Sequence, residues 1–285
     1  QWANKAQWRL TDEEAVALCR EFIAKFPDSA WAPDVIFWLG EYYFNHGNFS
    51  EAERQFSSLA EKYPDVPLAD DALFWAGRAA AEKKDYLYAV ERFNELAKRY
   101  PGSPKLPETR FAQGDVLSEL GQFAGAILHF EEIISKYPGN YLVDLAWGRK
   151  GDCQFTLGKD EPARYQEAIA SYQVVLDSSR ATAELKWQAE YKIGRCKEKM
   201  GQPAEALEHY VNVVYSYLDA AKGGNAGNPV WFTRAAFGAA AIKEAEEKWG
   251  EAVNLYSRVI EANVPASAEA KQRAEKIRTE HWELF

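Results

Sequence analysis

The sequence predicts an all-α fold: a solenoid of stacked helix hairpins with a capping helix at its C-terminal end. Three observations carry this. An alanine recurs in equivalent surroundings at Ala15, Ala52, Ala89, Ala126, Ala168, Ala206 and Ala252, with spacings of 37, 37, 37, 42, 38 and 46 residues. Four residues after it stands a ring in six of the seven copies (Phe56, Phe93, Phe130, Tyr172, Tyr210, Tyr256), with Cys19 in the first. Twelve residues before it stands Gly40, Gly77, Gly114 or Gly194, with Ala3 and Ala240 in the outermost copies. In the 42-residue copy the glycine is Gly151, 17 before Ala168, so five residues are inserted between the two helices there. A repeat of this length is one supersecondary unit that cannot bury its apolar face alone, and stacking of neighbours supplies the core.

Taken in order, residues 1–27 read as a truncated first repeat and residues 28–218 as five hairpins. In the first of these, Ala32 to His46 carries Ile36, Leu39 and Tyr43, and Ser50 to Tyr63 carries Ala52, Phe56, Leu59 and Tyr63 on one stripe. That is the period of an amphipathic helix. Gly47-Asn48 turns the chain, and Pro64 stops the second helix because proline cannot continue it. The aromatic–Pro stop recurs as Phe26-Pro27, Tyr63-Pro64, Tyr100-Pro101 and Tyr137-Pro138. The small pair Gly40 and Ala52 lets two backbones close, and Phe56 is expected to fill the space toward the next unit. Gly158 to Ala163 lengthens the turn inside the fourth full hairpin. Residues 219–228 (DAAKGGNAGN) read as a Gly/Asn-rich linker and the most mobile internal segment. Asn228-Pro229 then caps and opens a last hairpin over residues 229–264. Pro265 to Phe285 reads as a lone amphipathic helix that covers the open end of a single solenoid. No β-strand ladder is expected.

The unit resembles the tetratricopeptide repeat (TPR). Its small–large pattern falls on Leu39, Gly40, Tyr43, Ala52, Phe56, Leu59 and Pro64 in one copy, and on Ala76, Gly77, Ala80, Ala89, Phe93, Leu96 and Pro101 in the next. The likeness covers essentially residues 1–264 and is most specific over 30–138. At the family's early leucine the middle copies carry Gln113 and Lys150. Second helices ending in Lys-Tyr-Pro or Arg-Tyr-Pro are similar to those of bacterial envelope TPR proteins, in the style of the β-barrel assembly lipoprotein and the Tol-Pal-associated cell-division coordinator. The resemblance implies a right-handed superhelix whose first helices line a concave groove. It also implies a periplasmic or outer-membrane-associated setting.

Composition narrows the partners. The chain has 285 residues, 47% of them hydrophobic, and a net charge of −9, too apolar for a disordered chain. A surface this acidic argues against nucleic acid, whose phosphates demand bases. The longest apolar stretch, Ala235 to Ile242, is far below the ~18–20 residues of a membrane span. Residues 11–75 hold 13 acids against four bases. Solvated helix faces account for this charge, and so does a basic partner docked on the N-terminal third. Gln1 reads like the middle of a helix, which suggests a chain trimmed from a longer one, and no charged-then-apolar leader precedes it.

Catalytic and metal signals are weak. The three cysteines (Cys19, Cys153, Cys196) form no spaced pair and are expected unpaired. Cys153 and Cys196 each follow a repeat glycine by two residues, a buried-leaning place. Gly223-Gly224-Asn225-Ala226-Gly227 lacks the Lys-Ser/Thr and the preceding strand of a phosphate loop. His46, His129, His209 and His281 stand outside any HExxH pattern. Acid pairs such as Asp70-Asp71 lie in first turns, where they complement the helix dipole. The expectation is therefore a non-enzymatic protein-interaction scaffold with no cofactor or metal, a monomer that holds a protein or peptide partner. Two alternatives are a module for a small apolar or glycan ligand, and the regulatory TPR part of a longer enzyme.

In the TPR arrangement, residues three before, one after, and four and five after the glycine face the groove. The first of these rows reads Phe37, Phe74, Phe111, Gly148, Tyr191 and Phe237; the second reads Glu41, Arg78, Asp115, Asp152, Arg195 and Ala241; the third adds Phe44 and Phe155. Rings give contact area at low entropy cost, while Arg and Asp fix register. Phe74, Phe111 and Tyr191 are the expected centre, with Arg78 and Arg195 meeting partner carboxylates or carbonyls. Glu41, Asp115 and Asp152 are expected to repel an acidic partner. The row lacks the Lys and Asn set that resembles a chaperone-type carboxylate clamp, which disfavours an acidic C-terminal tail. The other reading has the same rings packing between first helices.

Overall fold

The computed structural model describes residues 11–285, and the small position at Ala3 lies outside them. Among the described residues the chain forms fourteen α-helices and a short 3-10 turn, with no strand. It divides into two compact units, residues 1–142 and 143–285.

The first unit holds α1 (Asp12–Lys25), α2 (Ala32–Asn45), α3 (Phe49–Lys62), α4 (Ala69–Glu82), α5 (Tyr86–Arg99), α6 (Leu106–Glu119) and α7 (Phe123–Lys136). The second holds α8 (Val143–Leu157), α9 (Ala163–Asp177), α10 (Ala183–Lys199), α11 (Pro203–Lys222), α12 (Val230–Ala245), α13 (Trp249–Glu261) and α14 (Ser267–Glu280). Each helix packs mainly on its sequence neighbours. Beyond that, first helices touch first helices: α4 meets α6 in one unit, and α8 meets α10 and α10 meets α12 in the other. No two second helices pack to a comparable extent among the described residues, so each stack closes toward its first helices.

Local chemistry sets the helix ends. Thr11 and Glu14 form a reciprocal capping box on α1, and Asn48 and Asp85 accept from the third amides of α3 and α5. Between α2 and α3 the chain passes through Gly47 at φ +73°, a left-handed value that costs glycine nothing. The aromatic of each aromatic–Pro pair (Phe26, Tyr63, Tyr100, Tyr137) is the C-cap of its helix. Two of these rings also join repeats. Tyr63 donates its hydroxyl proton to the Pro27 carbonyl at 2.5 Å, and Tyr100 donates to that of Pro64 at 2.6 Å.

The repeat glycine exists to admit a ring. A Cβ on Gly40, Gly77, Gly114, Gly151 or Gly194 would stand 2.5 Å from the nearest ring carbon of Phe56, Phe93, Phe130, Tyr172 or Tyr210 respectively. Those five rings are at most 1% exposed. This corrects the sequence expectation: Phe56 is not aimed only at the next unit but lies over the glycine of its own hairpin, and it stacks on Trp75 of the next at 6.3 Å.

The glycine-rich linker is shorter than residues 219–228. Asp219 to Lys222 continue α11, because nothing before Gly223-Gly224 breaks a helix. Gln113, at the family's leucine position, is fully buried yet satisfied: it donates to Asn94 at 2.8 Å and accepts from Arg110 at 2.9 Å. Lys150 at the matching place holds its ammonium 4.8 Å over the Trp147 ring. Cys19, Cys153 and Cys196 are buried and stand in no disulfide. At the C-terminal end α14 sets Ala270, Ala274 and Ile277 against α13.

Candidate functional site: two aromatic grooves of opposite charge

First-helix rings of the expected row do two things at once. Each leans on the large buried ring of its own hairpin: Phe37 on Phe56 at 5.3 Å, Phe111 on Phe130 at 5.6 Å, Tyr191 on Tyr210 at 5.5 Å and Phe237 on Tyr256 at 5.3 Å. Such edge and tilted contacts favour the ring quadrupoles. All four rings are half-buried. Phe74 differs. It is 6% exposed, wedged against Phe93 and Trp75 with Lys105 over its face, so it shapes the groove wall and offers little contact area. Gly148 leaves the row open, with nothing within 4 Å of the place a Cβ would take. Phe44 packs edge-on to Phe49 and Trp75, and Phe155 edge-on to Tyr165.

In the first unit the groove runs between α4 and α6. Phe74, Phe111 and Tyr86 make its apolar surface, with Tyr141 at the rim. Its charge comes from Arg78 against Glu82, Glu108, Asp115 and Glu119. Arg78 is partly committed, 3.9 Å from Glu82. Tyr86 and Tyr141 direct their hydroxyls to Glu119 and Glu108. Glu41, one repeat earlier, is exposed; partial burial of its carboxylate and the nearby Asp71 raise its pKa.

In the second unit the groove runs across α8, α10 and α12. Phe155, Tyr191 and Trp231 line it, and Tyr172 forms part of the floor. Its charge is reversed: Arg149, Lys192, Arg195 and Arg234 surround a single carboxylate, Asp152. Lys192 and Tyr172 both donate to Asp152 Oδ1, at 2.5 and 2.7 Å, and Arg149 stands 3.6 Å from Oδ2. Burial draws the Lys192 ammonium below the usual lysine range, although Asp152 pulls it the other way. Burial and the adjacent Asp152 push the Tyr172 phenol well above its ordinary value, so it stays a donor. Arg195 pairs with Glu198 at 3.1 Å and donates to the Tyr191 hydroxyl at 3.3 Å.

The structure therefore splits the expected row. Phe74, Arg78, Phe111 and Asp115 share one groove, and Asp152, Tyr191 and Arg195 share the other. Phe37, Glu41 and Phe237 line neither. Asp152 does not stand as a repelling charge, because two donors already hold it. The sequence reading missed Glu108, Gln188 and Arg234, six residues before the repeat small position, and Arg149 and Lys192, two before it. Those positions extend the same helical stripe by one turn, which is the signal that could have found them.

Elsewhere His209 meets Glu190 at 3.0 Å across two helices, and His281 stacks on Trp249. Among the described residues no group of three or more His, Cys, Asp or Glu side chains is placed to hold a metal ion, and no helix is long and apolar enough to cross a membrane.

A tetratricopeptide repeat model matches residues 39–104 and again 111–183, and a second such model matches 188–217. Together they cover more than half of the sequence, and the chain belongs to the tetratricopeptide repeat family. Among solved structures it is similar to the C-terminal part of a TPR protein from Cytophaga hutchinsonii, with TM-score 0.65, 15% identity, and 90% of this chain and 93% of that one covered. It is also similar to a TPR protein from Parabacteroides merdae, with TM-score 0.55, 13% identity, and 93% and 91% covered. A third is YrrB, described as a TPR protein with an unusual peptide-binding site, with TM-score 0.51, 16% identity, and 70% and 92% covered. No curated protein matches the chain.

Proposed function

We propose that this protein is a non-enzymatic scaffold that binds partner polypeptides along its first helices. One observation carries the reading. In each unit a half-buried ring that packs on a core ring, Phe111 or Tyr191, lines a groove flanked by charges of mainly one sign. A rigid ring loses little entropy on binding, and charges beside it set register and reject the wrong partner. So many charges suit a polypeptide better than a small apolar ligand. YrrB, similar in fold, is described as having a peptide-binding site, and membership of the repeat family supports the same class. We further infer a bacterial envelope setting, supported by the Lys-Tyr-Pro and Arg-Tyr-Pro helix ends.

A display library of short random peptides panned on the full chain tests the scaffold. Phe111→Ala and Tyr191→Ala should each weaken a subset of the selected peptides at least about tenfold, as loss of a central anchor does. The melting temperature should fall by only a few degrees. Unchanged affinity in both variants would refute the groove reading. Loss of the fold would show that the rings serve packing.

A further inference from the structure

The second-unit groove carries a charge opposite to that of the chain. Against a net charge of −9, four cations line this groove; Lys192 and Arg149 meet Asp152, Arg195 pairs with Glu198, and Arg234 lies over the Trp231 ring. Asp152 acts as a brace. It fixes the Lys192 ammonium and the Tyr172 hydroxyl on one oxygen, and it leaves the positive field of the groove in excess.

Rings order two of the cations, Lys192 and Arg234. Lys192 Nζ lies 5.7 Å from the centroids of both Tyr172 and Trp231, and the Arg234 guanidinium lies 5.0 Å over Trp231. Tyr191 and Trp231 stand 5.6 Å apart, a ring pair on which a side chain could rest. Cations ordered on aromatic faces keep their full charge and lose less entropy when a carboxylate arrives. Lys192 is mostly withdrawn from water, with 18% of its side chain exposed, so an anion reaching it meets less competition from solvent.

We infer that this groove takes an acidic polypeptide segment, its carboxylates on Arg149, Lys192 and Arg234 and an apolar side chain on the Tyr191–Trp231 pair. The inference rests on the scaffold reading and narrows it. A peptide fits better than a nucleic acid, because the basic patch is confined to one groove of an acidic chain. A phosphate backbone running beyond it would be repelled.

The test pans a short random peptide library on the full chain and on its Arg149→Glu/Arg234→Glu double variant. Both positions are exposed, so circular dichroism and melting should change little. Peptides that bind the unsubstituted protein but not the variant should be rich in Asp and Glu. They should lose at least about tenfold in affinity on charge reversal and weaken as salt rises. If that set is neutral or basic, or if no peptide distinguishes the two proteins while others still bind both, the acidic-partner inference is overturned and the scaffold stands. If no peptide is enriched on either protein, both fall. Should the double variant melt early, Arg234→Gln gives the same discrimination by a neutral change.

Discussion

Phe93→Ala is expected to destabilise the protein by about 3–5 kcal/mol, the cost of removing a fully buried phenylalanine. Phe93 is 0% exposed and fills the gap that Gly77 leaves open in α4. Helix backbones on both sides are tied by their own hydrogen bonds and by neighbouring hairpins, so the site can collapse only in part and a cavity remains. The groove wall would soften as well, since Phe74 leans on Phe93 at 6.1 Å. Urea unfolding followed by circular dichroism reads the change. A loss below about 1 kcal/mol would mean that the ring is not the keystone of its hairpin. A second substitution sharpens the point: Gly77→Ala should be tolerated in the Phe93→Ala background and harmful alone, because the two positions compete for one volume.

The same alanine should act with opposite signs at two positions of α8. Gly151→Ala places a Cβ 2.5 Å from the Tyr172 ring, which is almost fully buried and anchored by its hydroxyl to Asp152 at 2.7 Å. The ring cannot withdraw without loosening that bond and the Lys192 brace behind it. Overpacking of this kind costs about 1–3 kcal/mol, more than the gain in helix propensity. Three residues earlier, Gly148 faces open space. Gly148→Ala should therefore stabilise by about 0.5–1 kcal/mol through helix propensity alone. Melting curves of the two variants check the signs, and a destabilised Gly148→Ala would contradict the geometry.

These pairs show what was legible in the sequence. The glycine–ring spacing is fixed by the geometry of a helix hairpin, so it recurs unchanged in four copies (Gly40–Phe56, Gly77–Phe93, Gly114–Phe130, Gly194–Tyr210) and reads as a repeat. Its direction was less visible: Phe56 covers the Gly40 of its own hairpin as well as touching the next. The turn residue was only partly visible, for a different reason. Gly47, Gly121 and Gly201 take left-handed φ, but Lys84 and Glu247 do so in two other hairpins, where no residue type signals it. Charge in the grooves was legible one helical turn at a time. Asp115, Asp152 and Arg195 fall on the stripe nearest the glycine, while Glu108 and Arg234 lie about two turns earlier. Their shared groove depends on helices brought together from roughly 40 to 80 residues apart, a spacing that no local pattern encodes. Asp152 illustrates the limit. As a residue type it reads as a repelling charge; in the fold Lys192, 40 positions later, turns it into a brace.

Hydrogen–deuterium exchange on the full chain, free and saturated with a peptide selected from the display library, tests the central claim most directly. Exchange reports local opening, and a bound segment protects the helices it covers. The account predicts added protection centred on first helices, α4 and α6 for one peptide class and α8, α10 and α12 for the other. Protection centred on the second helices, or on none, would contradict it.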